Sequence, residues 1–387
     1  MNVKDEIRDI YVNTEDRFMK ESHLQEWLAP VWKGGEIYEE SVCFYEDATG
    51  KEQGGHLLYM PKKISKVTNH DGTVEYEEQK DYEVTEYGIR RTEGSRIPVL
   101  ARAEYCESYT GQPWAGWLCM PGKEQFVRIL PNVYTYQTLV TYEAEGAWTG
   151  CIPERQGEKL VRTYEKLEAG EPLHIVFFGD SITAGWEASG ADEPAVDMGS
   201  LAPMKVQSDR YPYLPVWAEL VTGKLREAYP QATITKDNLS SGGSTAKWGV
   251  EHVTELFDRV DTPDLVFIGF GMNCMWDPAE EFMGYIETIM NELRGRNPKC
   301  EFVLYPAMTA NREIETYQNE FMLTYEKTLQ DYAEKHSGVI AAPVHSMFRE
   351  MEKRGKTYYE YSGNCVNHPN DFAIRLYGQT IWETLCK

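Results

Sequence analysis

The chain has 387 residues, enough for two domains and too many for one core, and its 42% hydrophobic and 26% charged content is that of an ordinary globular protein. A formal charge of −23 disfavours sustained contact with nucleic-acid phosphates or an anionic membrane surface, both of which need Lys and Arg, and fits a neutral substrate. No run approaches the ~18 apolar residues of a transmembrane helix. The opening stretch from Met1 to Ile10 carries no apolar leader segment, and the eight Cys form no Cys-x-x-Cys pair. They read as reduced thiols of a cytoplasmic protein, not as a disulfide framework or a zinc site.

Residues 1–30 give an ambiguous pattern, with Leu24–Leu28 reading as the end of a helical piece. From about residue 36 to 165 the signals are short strands and turns: Ser41–Tyr45, Leu57–Met60, an Asp71-Gly72 hairpin signal before Thr73–Tyr76, and the long aromatic run Val133–Tyr142. Regular short strands with little helical period predict an all-β sandwich, jelly-roll-like, over residues 1–168. The charged stretch Glu165–Pro172 reads as the linker to a second domain over residues 169–387. There, strand-like runs (Ile175–Phe178, Ala232–Thr235, Leu265–Gly269, Phe302–Tyr305, Val339–Val344) alternate with helix-like ones (Pro215–Tyr229, Phe282–Leu293, Tyr317–Tyr332, Phe372–Leu385). Such alternation predicts βαβ units and a mainly parallel sheet between helices, an α/β fold.

Four segments of this second half carry chemistry. Ile175–Phe178 is an apolar run that stops at Gly179-Asp180-Ser181, placing a hydroxyl beyond the carboxyl end of a buried strand, where open α/β sheets bind ligands. Asn238-Leu239-Ser240-Ser241-Gly242-Gly243 follows the next strand, Gly271-Met272-Asn273 closes the third, and Asn367-His368-Pro369 precedes the last helix. Each alone has a bland reading: Asp and Ser are turn and cap residues, Asn273 suits a turn, Gly242-Gly243 a loop, and Asn370 or Asp371 a helix cap. Asp180 reads as a residue that fixes backbone around Ser181. The seven other His match no motif.

Together, in this order, the segments resemble the four blocks of the SGNH (GDSL) hydrolase superfamily over roughly residues 172–387. The resemblance implies a flavodoxin-like three-layer fold and a serine hydrolase that needs no metal and no organic cofactor. Ser181 would be the nucleophile and His368 the base, because a serine hydroxyl attacks well only when a base within hydrogen-bond reach takes its proton. The Ser181 and Gly243 amides and the Asn273 side chain would meet the oxyanion of the tetrahedral intermediate.

Two positions depart from the pattern. The family's Asp three residues before the His falls on Cys365, and its Asp after the third block falls on Cys274. A thiol does not hold and charge-balance an imidazole as a carboxylate does, so a Ser–His dyad is expected, or a partner for His368 from a backbone carbonyl, from Asn364 or from an acid on a distant loop. A redox pair of Cys274 and Cys365 is not expected. Trp186, Trp248 and Trp276 follow the three motif residues closely and are candidate walls of an acyl or sugar pocket, with core or lid packing the alternative for each. A β-domain ahead of such a hydrolase is similar in layout to two-domain carbohydrate acetylesterases of carbohydrate esterase family two. That layout implies an oligosaccharide or small-molecule ester as substrate, with no nucleic-acid or membrane partner. A lysophospholipase or thioesterase, or a non-catalytic carbohydrate-binding protein, is the alternative. Oligomeric state is not legible.

Overall fold

The computed structural model describes residues 21–190, 214–258, 260–319 and 321–387. The opening residues read above for a leader lie outside the described residues, as does Glu320 within the helix read at 317–332. A short helix α1 (Glu21–Trp27) leads into the β-rich half: β1 (Glu36–Glu46), β2 (Glu52–Gln53), β3 (Met60–Asn69), β4 (Tyr82–Thr85), β5 (Gly88–Arg91), β6 (Val99–Leu100), β7 (Cys106–Ser108), β8 (Gln125–Val127) and β9 (Gln137–Glu145). The largest sheet here has the order β2-β1-β9-β3, with β6 parallel to β1, while β4-β5 and β7-β8 are antiparallel pairs. The aromatic run at 133–142 enters β9 only from Gln137, its first four residues forming a 3-10 turn.

The second half is α/β. Helix α2 (Val161–Ala169) precedes β10 (Leu173–Gly179), α3 (Ser181–Ala184), α4 (Trp217–Ala228), β11 (Ile234–Asn238), α5 (Ala246–Phe257), β12 (Leu265–Gly269), α6 (Ala279–Arg296), β13 (Glu301–Leu304), α7 (Phe321–Lys335), β14 (Val339–Ala341), α8 (Val344–Lys353) and α9 (Asp371–Leu385). The stretch expected as a linker is the end of α2 and its cap. Thr163, Tyr164 and Leu167 bury one face of that helix, its charges lie on the other, and left-handed Gly170 ends it.

The five strands β11-β10-β12-β13-β14 are all parallel. The inner strands β10 and β12 are largely apolar because both faces are covered, whereas the edge strand β11 carries Thr235, Lys236, Asp237 and Asn238. Alternate side chains of β10 enter opposite layers: Ile175 and Phe177 join Trp217, Leu220 and Tyr377 on one face, Val176 and Phe178 join Val253, Ile289 and Met290 on the other. The chain order reverses between β10 and its neighbours β11 and β12, so the crevice for a ligand opens at the carboxyl ends of these three strands. Among the described residues no helix is long and apolar enough to cross a membrane.

Val42, Phe44 and Tyr142 of the β-rich half belong to the same apolar cluster as Trp217 and Tyr377. Polar ties reinforce this junction. The register of β1 against β9 shifts between Ile37 and Glu40, and Arg375 of α9 donates to the carbonyls of Tyr38 and Glu39 at that bulge, at 3.0 and 2.7 Å. Glu40, fully buried, accepts from the Leu58 amide, from the Tyr142 hydroxyl and from Lys356 Nζ at 2.9, 2.7 and 2.7 Å. Lys356, also buried, donates its other protons to the carbonyls of Ser41 and His56, both at 2.8 Å.

Removing one partner of such a pair leaves an uncompensated charge in the interior, which costs about 3–5 kcal/mol. Urea unfolding of Lys356→Met is expected to register a loss of that order, whereas Lys62→Met, which breaks the exposed pair with Glu143, leaves the midpoint nearly unchanged.

Candidate active site

Ser181, Gly243 and Asn273 sit on loops that leave the carboxyl ends of β10, β11 and β12, and His368 sits on the segment before α9. After β10, Asp180 caps the short helix α3, its Oδ1 accepting from the Ile182 amide at 3.0 Å, and Ser181 opens that helix. After β11, Asn238 Nδ2 donates to the Thr183 carbonyl at 2.9 Å and its Oδ1 accepts from the Ser240 amide at 3.1 Å, which ties this loop to the serine's. Ser244 Oγ donates to the Gly179 carbonyl at 3.0 Å, and Thr183 Oγ1 donates to the Gly269 carbonyl at 3.0 Å. The three loops therefore hold one another.

The structure brings Ser181 and His368 together: Ser181 Oγ lies 2.8 Å from His368 Nε2, and both residues are buried. Asn273 is half-buried on the loop after β12, and one hydrogen of its Nδ2 goes to the Ser244 carbonyl at 3.0 Å, leaving a second for a ligand. Gly243 is exposed, with a φ of 72°.

The segment carrying His368 owes its shape to Asn364. Its Oδ1 accepts from the amides of Val366 and Asn367, both at 2.9 Å, and of His368 at 3.2 Å. Ser362 and Pro369 pair across the segment, and the Gly363 amide donates to the His368 carbonyl at 2.8 Å. Gln137 of β9 donates from Nε2 to the carbonyls of Ser362 and Tyr359 at 2.7 and 3.2 Å. Asn370, the cap of α9, donates to Ser41 Oγ at 2.9 Å and to Gln137 Oε1 at 3.0 Å. Residues of the β-rich half thus hold both ends of the histidine segment.

On its other nitrogen, His368 Nδ1 faces Glu187 Oε2 at 2.9 Å and Asn364 Nδ2 at 3.0 Å. Glu187 went unremarked in the sequence, since it stands in a turn without pattern. The one signal for it was an acid six residues after Ser181 in a chain whose usual acid position holds Cys365. Cys365 itself is buried in the apolar cluster, where burial pushes its thiol well above the usual range. The Cys274 sulfur accepts from the Ala246 amide at 3.2 Å, and burial pushes that thiol up to about 12. The two are free and belong to different core clusters.

The tryptophans take three different places. The Trp186 ring meets the His368 ring edge-on at 5.6 Å. Trp248 stacks on His252 at 4.4 Å and packs against Phe178. Trp276 is 68% exposed. Among the described residues no group of three or more His, Cys, Asp or Glu is arranged to hold a metal ion.

Asp180 is wholly buried, its Oδ2 has no hydrogen-bond partner among the described residues, and burial pushes its carboxyl from 3.8 up to about 6. A folded-state pKa above the unfolded value means that the unfolded chain ionises first. Stability contributed by this group therefore falls between pH 4 and 6, by roughly 3 kcal/mol, and is level above. Asp180→Asn is expected to lack this slope, so that urea titrations at pH 4 and 6.5 separate variant from parent at the higher pH.

A family model for GDSL-like lipases and acylhydrolases matches residues 177–373. Among solved structures, a two-domain esterase (CEX) active on acetylated mannans, crystallised with mannopentaose, is 24% identical over 60% of this chain and 53% of its own, with a TM-score of 0.41. The acetylxylan esterase Axe2 of Geobacillus stearothermophilus is 18% identical over 56% of this chain and 96% of its own, with a TM-score of 0.41. A lipolytic G-D-S-L protein of Veillonella parvula is 15% identical over 53% of this chain and 94% of its own, with a TM-score of 0.37. The chain spans about half the length of the two-domain mannan esterase it matches. No curated protein matches it. The family model covers the loops of Ser181, Gly243 and Asn273 and the segment of His368, and the chain belongs to the GDSL-like lipase/acylhydrolase family.

Proposed function

We propose that the protein is a serine esterase that removes short acyl groups, acetyl above all, from carbohydrates. The observation that carries this reading is the 2.8 Å contact of Ser181 Oγ with His368 Nε2 at the crevice of a GDSL-type sheet. In it, His368 Nε2 takes the Ser181 proton as Oγ bonds to the ester carbonyl carbon. The negative oxygen is met by the Ser181 and Gly243 amides and by the second Nδ2 hydrogen of Asn273. His368 then protonates the departing sugar hydroxyl, leaving an acyl-serine. Water then bonds to the acyl carbon as His368 takes its proton; the acyl–Oγ bond breaks, His368 returns the proton to Ser181 Oγ, and the carboxylic acid leaves.

A neutral substrate fits the charge of −23, and a sugar offers apolar ring faces to exposed indoles such as Trp276. Trp186 and Trp248 are further candidates for the pocket wall. Residues 169–387 form the catalytic unit in this reading and residues 1–168 the β-rich unit that holds its histidine segment. Eight free thiols favour a reducing, cytoplasmic setting and oligosaccharides over polymer.

Turnover of 4-nitrophenyl acetate is expected, abolished in Ser181→Ala and lowered ~10²–10³-fold in kcat by Asn273→Ala. Failure of the parent on this ester and on acetylated xylo- and manno-oligosaccharides would remove the esterase reading. Trp276→Ala is expected to raise KM severalfold for an acetylated oligosaccharide while leaving 4-nitrophenyl acetate turnover unchanged.

A further inference from the structure

Resting on the reading of Ser181 and His368 as nucleophile and base, we infer that Glu187 is the positioning acid of this site, supplied by the nucleophile's own loop and selecting the imidazole tautomer against Asn364. His368 Nδ1 has two neighbours of opposite kind. Glu187 Oε2, at 2.9 Å, can only accept a proton; Asn364 Nδ2, at 3.0 Å, can only donate one, because three backbone amides already fix Oδ1 as the acceptor end of that side chain. With the proton on Nδ1 and Glu187 accepting it, Nε2 presents a lone pair to the Ser181 hydroxyl and can act as base. With Asn364 donating to Nδ1, the proton sits on Nε2, points at Ser181 Oγ, and the site is silent. A hydrogen bond to a charged group is about twice as strong as a neutral one, so the carboxylate decides.

The surroundings are built for this contact. The Glu187 side chain is fully buried, and among the described residues its Oε1 has no hydrogen-bond partner, so the imidazole is where its charge is met. Its backbone is left-handed, φ 65°, a conformation that costs a non-glycine residue about 1 kcal/mol and is kept where function requires it. Opposite stands Gly363, where a Cβ would fall 2.5 Å from Glu187 Cβ and 2.6 Å from the Pro369 carbonyl oxygen. Only a glycine there lets the carboxylate approach the histidine segment. Cys365, at the family's usual acid position, is turned to the core and free of this task.

Glu187→Ala leaves Asn364 as the polar neighbour of Nδ1. It is expected to move the proton to Nε2, read from the ¹⁵N shifts of labelled imidazole, and to lower kcat on 4-nitrophenyl acetate by about 10³–10⁴-fold with KM little changed. Glu187→Gln, of the same shape, gives the same kcat loss and serves where the alanine variant does not fold. Asn364→Asp added to either variant keeps the Oδ1 contacts and sets a carboxylate oxygen where Nδ2 stood. The double variant is expected to return the proton to Nδ1 and recover at least tenfold in kcat. Glu187 variants within threefold of the parent, a proton that stays on Nδ1 without Glu187, or a double variant with its proton on Nδ1 that remains as slow as the single one, would each overturn the assignment. The ¹⁵N reading needs no turnover. A parent without esterase activity therefore fails the function proposed above, while the tautomer experiment still returns its own answer.

Discussion

The site rests on the clamping of one short segment, residues 359–370, between the β-rich half and the α/β sheet. His368 comes from no strand of the parallel sheet, so nothing in the sheet's regular geometry brings it to Ser181. Its place is set by hydrogen bonds: Asn364 folding the segment on itself, Gln137 gripping two of its carbonyls, and Asn370 joining the start of the last helix to Ser41 and Gln137. A buried amide or carbonyl left without a partner costs about 1–3 kcal/mol, so any displacement of the segment breaks several such bonds at once. The imidazole is held because its backbone has nowhere cheaper to go.

The β-rich half is for this reason more than a neighbour. Its sheet shares an apolar cluster with the helices beside Phe177, and the buried pair of Glu40 and Lys356 lies at the junction. An ion pair shielded from water adds little net stability against an apolar substitute, while removing either partner alone is costly. Around it Glu360, whose carboxyl burial pushes up to about 7, accepts from the amides of His56 and Thr357 at 2.9 and 2.7 Å. Between the two halves, the apolar cluster and these buried polar contacts lie side by side.

Much of this was legible in the chain. The runs Ile175–Phe178 and Leu265–Ile268 announced buried parallel strands, and the loops after them placed Ser181 and Asn273 at one edge of a sheet. Short-range pattern failed where tertiary contacts decide. Glu165–Pro172 looked like a linker because its charges are conspicuous, although Leu160, Thr163, Tyr164 and Leu167 carry the helical spacing that the structure buries. Val133–Tyr136 has strand-like residues but bends into a turn before β9. Glu187 was unreadable for a deeper reason. A lone acid in a turn carries no period, and its contact with His368 exists only once two distant loops have met.

Ser181 and Glu187 leave the same strand end within a single turn of chain, and the two ring nitrogens of His368 touch one each. The imidazole therefore bridges two points of one loop, so that Ser181, His368 and Glu187 come from two pieces of chain, with Gly243 and Asn273 on two further loops. Withdrawal of the histidine segment would lose both contacts in one event. The two contacts are in that sense coupled through the position of one segment.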